Sequence, residues 1–487
     1  MKLHKIPINA LFIFDLRSLS LLRIAAALTL LVDLLVRTAN FKAHYSNQGV
    51  LPLEALFRLA WNEHFFSFYT LSGSALIQSL VVFLNLTCIF ALLVGYRTKL
   101  ATILCWLFLI SIHNRNPLIQ QGGDDLLRLL LFWGIFLPWG YCYSLDSKEN
   151  EKNTDFSFLS LAGFAYMLQV GYVYFFSAIL KSSPEWTSEY SALYYALSID
   201  QIILPFGRII YPYESVLKVI TMVVYYIELI LPLVLLIPFL TKQFRSVFII
   251  IICLLHIGIS LCLNVGLFPL IGVISMIGLL PGSVSQRIVD SFISFYPWIK
   301  RVGTFLEKSI QLPPASLHPS KPSESIYQRV IVLFFALYII NWNLRTVSMP
   351  NLISAVGNEI AFVMRVDQNW GMFSPSVFKD DGWFVFSATT EAGKQIDILQ
   401  EGKEPTFAKY SAVSGPFRED RWRKYSENIL LISNSHFRPY YCSYLLNRWN
   451  DQSTPRIKSL QIIYMKEISL PGYMIQDPSK EILCECY

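Results

Sequence analysis

Lys181 is the residue whose placement most invites chemistry. It closes an apolar run at 158–180, and Tyr172, Tyr174, Phe175 and Phe176 occupy the turns before it. A lysine at a span end ordinarily extends its amine to the headgroups. Buried among those aromatics instead, it would favour the neutral amine, because desolvation disfavours charge. A neutral amine is a general base. Trp186 and Glu189 follow closely enough to wall or charge the same pocket. Two further titratable side chains stand inside apolar runs: Glu228, after Tyr225 and Tyr226, and His256. An ionisable group within a span costs about 2.5–3.5 kcal/mol on insertion scales, so each needs a partner or a purpose. They form a proton-handling pair if their helices adjoin, or they make separate structural hydrogen bonds.

The segment HNRNPLIQQGGDDLLRLLLFW, residues 113–133, is the most polar stretch at a span entrance. Asp124 or Asp125 is placed to cap the helix that follows, where a carboxylate meets unpaired N–H groups. Arg115 and Arg128 are suited to hold an anionic group or a buried carboxylate. Capping explains the aspartates but leaves Gly122, Gly123 and Arg128 unexplained, so this segment joins the substrate-pocket candidates. In the first span Arg23 and Asp33 are read as an intramembrane ion pair, with Arg37 one turn after Asp33.

The elements that must position these residues are membrane helices. Charged side chains make up 15% of the 487 residues and hydrophobic ones 54%, whereas a soluble protein averages about 25% charged. The deficit excludes a disordered chain and is concentrated at 1–346, about 12% charged by count, against about 22% at 347–487. Apolar runs long enough for a core of about 30 Å lie near 20–36, 76–95, 99–112, 126–143, 158–180, 218–240, 246–263, 265–282 and 327–346. Short-loop basic residues orient them. The amino end with Lys2, Lys5 and Arg17, the turn with Arg97 and Lys99, the turn with Lys242 and Arg245, and the 283–326 linker with Arg287, Lys300 and Arg301 fall on one side, read as cytoplasmic. Nine spans put the C-terminal region outside. The net charge of +6 therefore reflects topology rather than nucleic-acid binding, which clusters basic residues on a soluble face. No cleavable signal peptide is expected, since the opening residues lack a small-residue cleavage site.

Beyond Pro350 the pattern becomes short alternating runs. DDGWFVF and TEAGKQID read as strand, turn and strand, IKSLQIIYMKEISL as a further strand, and NILLISNSHFRPYYCSYLLNRWN as one or two helices. The fold class is thus an all-α polytopic membrane domain of about nine transmembrane helices with a small C-terminal α+β domain at 347–487. QNWGMFSP, residues 368–375, is either a lid over a membrane-facing pocket or an aromatic anchor at the interface. Cys88, Cys105, Cys253 and Cys262 lie in apolar runs as inert core residues. An exported C-terminal region allows one disulfide, Cys442 with Cys484 or with Cys486. No zinc, haem, flavin or nucleotide signature occurs.

Taken in order, Asp15–Arg17 with Arg23 and Asp33, YSNQGVLP at 45–52, RNPLIQQGGDDLLR at 115–128, the 169–190 segment, HIGISLCLNVGLF at 256–268 and WGMFSP at 370–375 resemble the vitamin K-dependent gamma-carboxylase-like family, whose membrane part is the HTTM domain. The series spans nearly the whole chain. The resemblance implies a bacterial inner-membrane protein that uses reduced vitamin K or menaquinone. Lys181, five residues before Trp186, takes the place of the family's base, and quinol oxidation by O2 to an epoxide would drive modification of a peptide or protein glutamate. Arg115, Gly122, Gly123, Asp124, Arg128, Tyr172, Phe176, Trp186, Glu228 and His256 would shape the pocket. QQGGDDLL lacks the histidine found there in the carboxylases, with His113 upstream, and the soluble part is shorter than theirs. The related sporulation-delaying protein B family implies an alternative, a non-enzymatic maturation factor for a secreted peptide. A transporter would show inverted repeats with broken helices, and only one break, near Gly266, is visible.

Overall fold

The computed structural model describes residues 7–147, 155–296, 322–350, 352, 354–410, 413 and 419–487. Lys2, Lys5, Lys300, Arg301 and the linker residues 297–321, which hold most of its Pro/Ser-rich part, lie outside the described residues. The membrane part is built on α1 (Leu16–Ala39), α2 (Ala75–Val94), α3 (Thr98–Arg115), α4 (Gly122–Gly134), α5 (Leu161–Leu180), α6 (Glu214–Ile230, prolonged by a 3-10 stretch to Leu236), α7 (Thr241–Cys262), α8 (Phe268–Ser275), α9 (Gly282–Phe295) and α10 (Ile326–Thr346). Local chemistry sets several boundaries. The Asp15 carboxylate accepts from the Arg17 N–H to start α1. Gly95, with φ +71°, ends α2 in the left-handed cap that glycine adopts freely. The Ser160 and Ser325 hydroxyls cap α5 and α10.

Six of these helices are long and apolar enough to cross a membrane: α1, α2, α5, α6 with its extension, α7 and α10. The bent pair Phe268–Leu279 and Gly282–Phe295, at 117°, makes a seventh if counted as one span. Nine spans are not confirmed among the described residues. The run at 126–143 supplies only the 13-residue α4, about 20 Å at 1.5 Å per residue, and it is enclosed by its neighbours. The outward faces have the polarity a bilayer requires. On α2 the exposed positions include Leu76, Leu80, Phe83 and Leu84, while Gln78 and Asn85 point inward.

Hydrogen bonds mark two ends of the bundle. At one, Ser18 donates to the Leu280 carbonyl, Arg245 to the Ile13 and Leu11 carbonyls, Ser160 to Glu324, and the Arg97 N–H to Asp146. Here too β1 (Ile13–Asp15) pairs antiparallel with β2 (Ser157–Leu159). The other end carries the C-terminal region. Its antiparallel sheet has the order β4 (Gln395–Asp397), β3 (Trp383–Thr390), β5 (Ile457–Lys466), β6 (Ser479–Cys486). The strand–turn–strand reading is met by β3 and β4, and the helical reading at 428–450 by α12 (Arg438–Gln452), whereas α11 (Asp420–Leu430) lies mostly before the stretch so read. Phe384, Phe386, Leu460 and Ile462 pack beneath Tyr425 and Tyr441, in an apolar core continuous with that of the helices.

Candidate functional site

Lys181 caps the C-terminal end of α5 and is only 4% exposed. Burial excludes the headgroup-seeking arrangement. Its ammonium is hydrogen-bonded to the Glu228 carboxylate of α6 and lies 4.5 Å from the centre of the Trp186 ring. The Trp186 indole donates to the Phe373 carbonyl at 2.9 Å, and the Ser183 N–H to the Pro375 carbonyl at 3.2 Å. Residues 370–375 thus close over the lysine's segment. Trp370 is fully buried, with its indole 2.8 Å from Gln368 Oε1, which also accepts from Gln169 on α5. A buried, hydrogen-bonded tryptophan is not an interfacial anchor.

The remaining expected members of this pocket divide. His256 pairs with the Tyr174 hydroxyl at 2.7 Å rather than with Glu228, so of the two readings the separate hydrogen bonds hold, Lys181–Glu228 and Tyr174–His256. Tyr172 and Phe176 face each other at 5.6 Å on successive turns of α5. Glu189 is exposed. The buried acid beside Trp186 is Glu185, which accepts from Ser183 at 2.8 Å and pairs with Lys379 at 2.7 Å.

A second cluster occupies the α4 entrance. The Asp124 carboxylate accepts from the Gln121 N–H at 2.8 Å, completing a capping box. It also accepts from Arg37 at 2.6 Å and from Arg421 of α11 at 2.6 Å. Asp33 accepts from the same two arginines, each at 2.7 Å. Two guanidiniums and two carboxylates therefore close a neutral ring, and Tyr45 joins it through Arg37 at 3.1 Å. His113 lies 3.8 Å from Asp124.

The expected Arg23–Asp33 ion pair is absent from this arrangement. Arg23 donates to the carbonyls of Leu92 at 2.8 Å, of Leu93, and of Tyr143. Ten residues of helix separate Arg23 from Asp33 by about 15 Å, beyond the reach of a direct pair, whereas Asp33 and Arg37 are neighbours at i, i+4.

The glycine pair has a packing cause. A side chain on Gly122 would come within 2.9 Å of Met372 Sδ, and one on Gly123 within 3.1 Å of the Phe268 backbone. Both glycines therefore let the 370–375 segment and α8 approach α4 closely. Arg115 donates to the Leu51 carbonyl at 2.9 Å, tying the 45–52 segment down. Arg128 contacts the Asp367 carbonyl at 2.5 Å and Asp125 at 3.1 Å. The residues expected to form one pocket are thus distributed over the Lys181–Glu228 pair, the Tyr174–His256 pair, the Asp124 ring, the Arg128–Asp367 contact and the Arg115–Leu51 contact.

The C-terminal region adds a cavity of about 490 Å³ between the sheet and α12, lined by Phe386, Trp422, Tyr441, Arg448 and Trp449 among others. Its disulfide joins Cys442 to Cys486, not to Cys484. At the junction with the helices, Lys409 contacts Asp200 at 3.1 Å, Asp381 at 2.6 Å and Glu467. Neither Arg421 nor Lys409 was legible as a site residue, because each sits in an ordinary charged surface pattern. No family model, curated protein or solved structure matches this chain.

Proposed function

We propose that this protein is a membrane enzyme of the HTTM type, in which Lys181 takes the proton of a lipid-soluble quinol, reduced vitamin K or menaquinone. The observation that carries the reading is the buried Lys181–Glu228 pair beneath Trp186. Holding two ions away from water costs several kcal/mol each. Transfer of the lysine proton to Glu228 removes both charges and leaves an amine able to accept a hydroxyl proton. Glu228 then retains the first proton, and the Trp186 ring stabilises the ammonium that re-forms. The 370–375 segment keeps bulk water from the pair. The quinol, when bound, supplies the oxidation: with O2 it gives an epoxide and one water. A peptide or protein glutamate is the acceptor that the family resemblance offers for the base so generated.

Orientation belongs to the same proposal. The disulfide at the Lys181 end of the bundle suits an oxidising compartment. Arg17, Arg97 and Arg245 mark the opposite end, which suits the cytoplasm. The C-terminal region is then exported from a bacterial inner membrane. The alternative, a maturation factor acting without chemistry at Lys181, is favoured by the 490 Å³ cavity, which offers a place for a peptide side chain. Protein in lipid supplied with reduced menaquinone or vitamin K and O2 separates the two. Epoxide from wild type but not from Lys181→Ala is the expected result. No epoxide from either protein would overturn the enzymatic reading.

A further inference from the structure

Three cysteines meet where α12 packs on β5 and β6. Cys442 of α12 is bonded to Cys486 of β6, with a Cα–Cα separation of 6.0 Å. Cys484 is a free thiol two residues earlier on the same strand. Its sulfur donates to the Arg438 carbonyl at 3.2 Å, one helical turn before Cys442, and the Cys442 N–H lies within hydrogen-bonding reach of the same sulfur. The register sets Cys484 opposite Ile462 and Cys486 opposite Leu460. Side chains two apart on a strand share a face, and here that face is the one α12 covers. Cys442 therefore has two cysteine neighbours at successive same-face positions, and only one of them is bonded to it. Cys486 is half-buried and adjoins Tyr487, which is 87% exposed.

We propose that this cluster is a thiol–disulfide exchange site, in which Cys484 displaces Cys486 from Cys442 and the released Cys486 reacts with a small disulfide or a disulfide-bearing peptide. In the first step Cys484 gives its proton to solvent and its thiolate attacks the Cys442 sulfur. The Cys442–Cys484 bond forms, the Cys442–Cys486 bond breaks, and the electron pair leaves on Cys486. In the second step the Cys486 thiolate attacks the incoming disulfide, forms one mixed S–S bond and expels the other half as a thiolate. Neither step needs a net oxidant. Burial pushes the Cys484 thiol up to about 11, against the favourable pull of Arg438. The thiolate is scarce at neutral pH, and since exchange follows its fraction, the first step accelerates about tenfold per pH unit below that value.

The test uses the full-length protein in lipid with glutathione disulfide as the probe, quenched with acid, and mass spectrometry to locate glutathione and to map disulfides. Glutathione is expected on Cys486 of the wild type, rising about tenfold per pH unit between pH 7 and 9, and absent from Cys486 in Cys484→Ser. Independently, Cys486→Ser is expected to carry a Cys442–Cys484 disulfide. Glutathione confined to Cys484 at every pH, or Cys442 and Cys484 both reduced in Cys486→Ser, would overturn the proposal. This inference does not depend on Lys181 or on quinol chemistry.

Discussion

Arg421, in the first turn of α11, donates at 2.7 Å to Asp33 in the first membrane helix. With its second contact at Asp124, it completes a ring in which two arginines balance two carboxylates away from water. The C-terminal region is therefore electrostatically part of the helical bundle. Without it, the bundle would hold two buried carboxylates against Arg37 alone.

Removing Arg421 should consequently be severe. Breaking a buried pair by deleting one partner costs about 3–5 kcal/mol. Arg421→Ala is expected to lower the thermal midpoint strongly and to increase proteolysis of the C-terminal region. Adding Asp33→Asn should recover part of the loss. A midpoint equal to wild type in the single variant would show that the ring does not bind the two parts together.

The Lys181–Glu228 pair predicts a non-additive cycle. Lys181→Met leaves the Glu228 carboxylate buried and unpaired, and Glu228→Gln leaves the ammonium in the same condition. Each alone should cost about 3–5 kcal/mol, and the double variant less than their sum. In the epoxide assay, Glu228→Gln should reduce turnover, because Glu228 can then no longer take the lysine proton inside the water-excluded site.

Asp381 predicts a pH dependence. Burial, with Asp200 nearby, pushes its carboxyl up to about 7 despite the hydrogen bond and charge of Lys409, from an ordinary value of 3.8. Between those values the folded protein holds a proton that the unfolded chain releases. The stabilisation is therefore fully present below about pH 4 and is lost as pH rises through 7. Asp381→Asn mimics the protonated form and should flatten this part of the stability curve. Thermal midpoints measured from pH 4 to 8 for both proteins would reveal it, and parallel curves would refute it.

Close approach around the 370–375 segment gives a steric prediction. Trp370 is fully enclosed, so Trp370→Ala should cost about 3–5 kcal/mol. Gly266 has φ +66°, and an added side chain would collide with the Asp420 carboxylate. Gly266→Ala should cost about 1–3 kcal/mol through strain and displacement. Chemical denaturation of each variant in detergent measures both, and a loss below about 0.5 kcal/mol in either would contradict the packing described.

Loss of the Cys442–Cys486 bond, which encloses a separation of 44 residues, should cost about 2–5 kcal/mol in Cys442→Ala. A reducing agent should lower the stability of the wild type and leave Cys442→Ala unchanged.

The sequence by itself determined what depends on neighbours along the chain. Apolar runs became helices, DDGWFVF and TEAGKQID became β3 and β4, and Asp124 became a cap, because periodicity and capping act within a few residues. Unusual polar residues were equally visible as costs that something must offset. Which partner offsets each cost was decided by the tertiary structure alone. Asp33 found Arg421 across 388 residues of chain, Arg23 found backbone carbonyls, and Cys442 took Cys486 over Cys484. Pairing depends on distance in space, and composition and spacing carry no record of where separated segments meet.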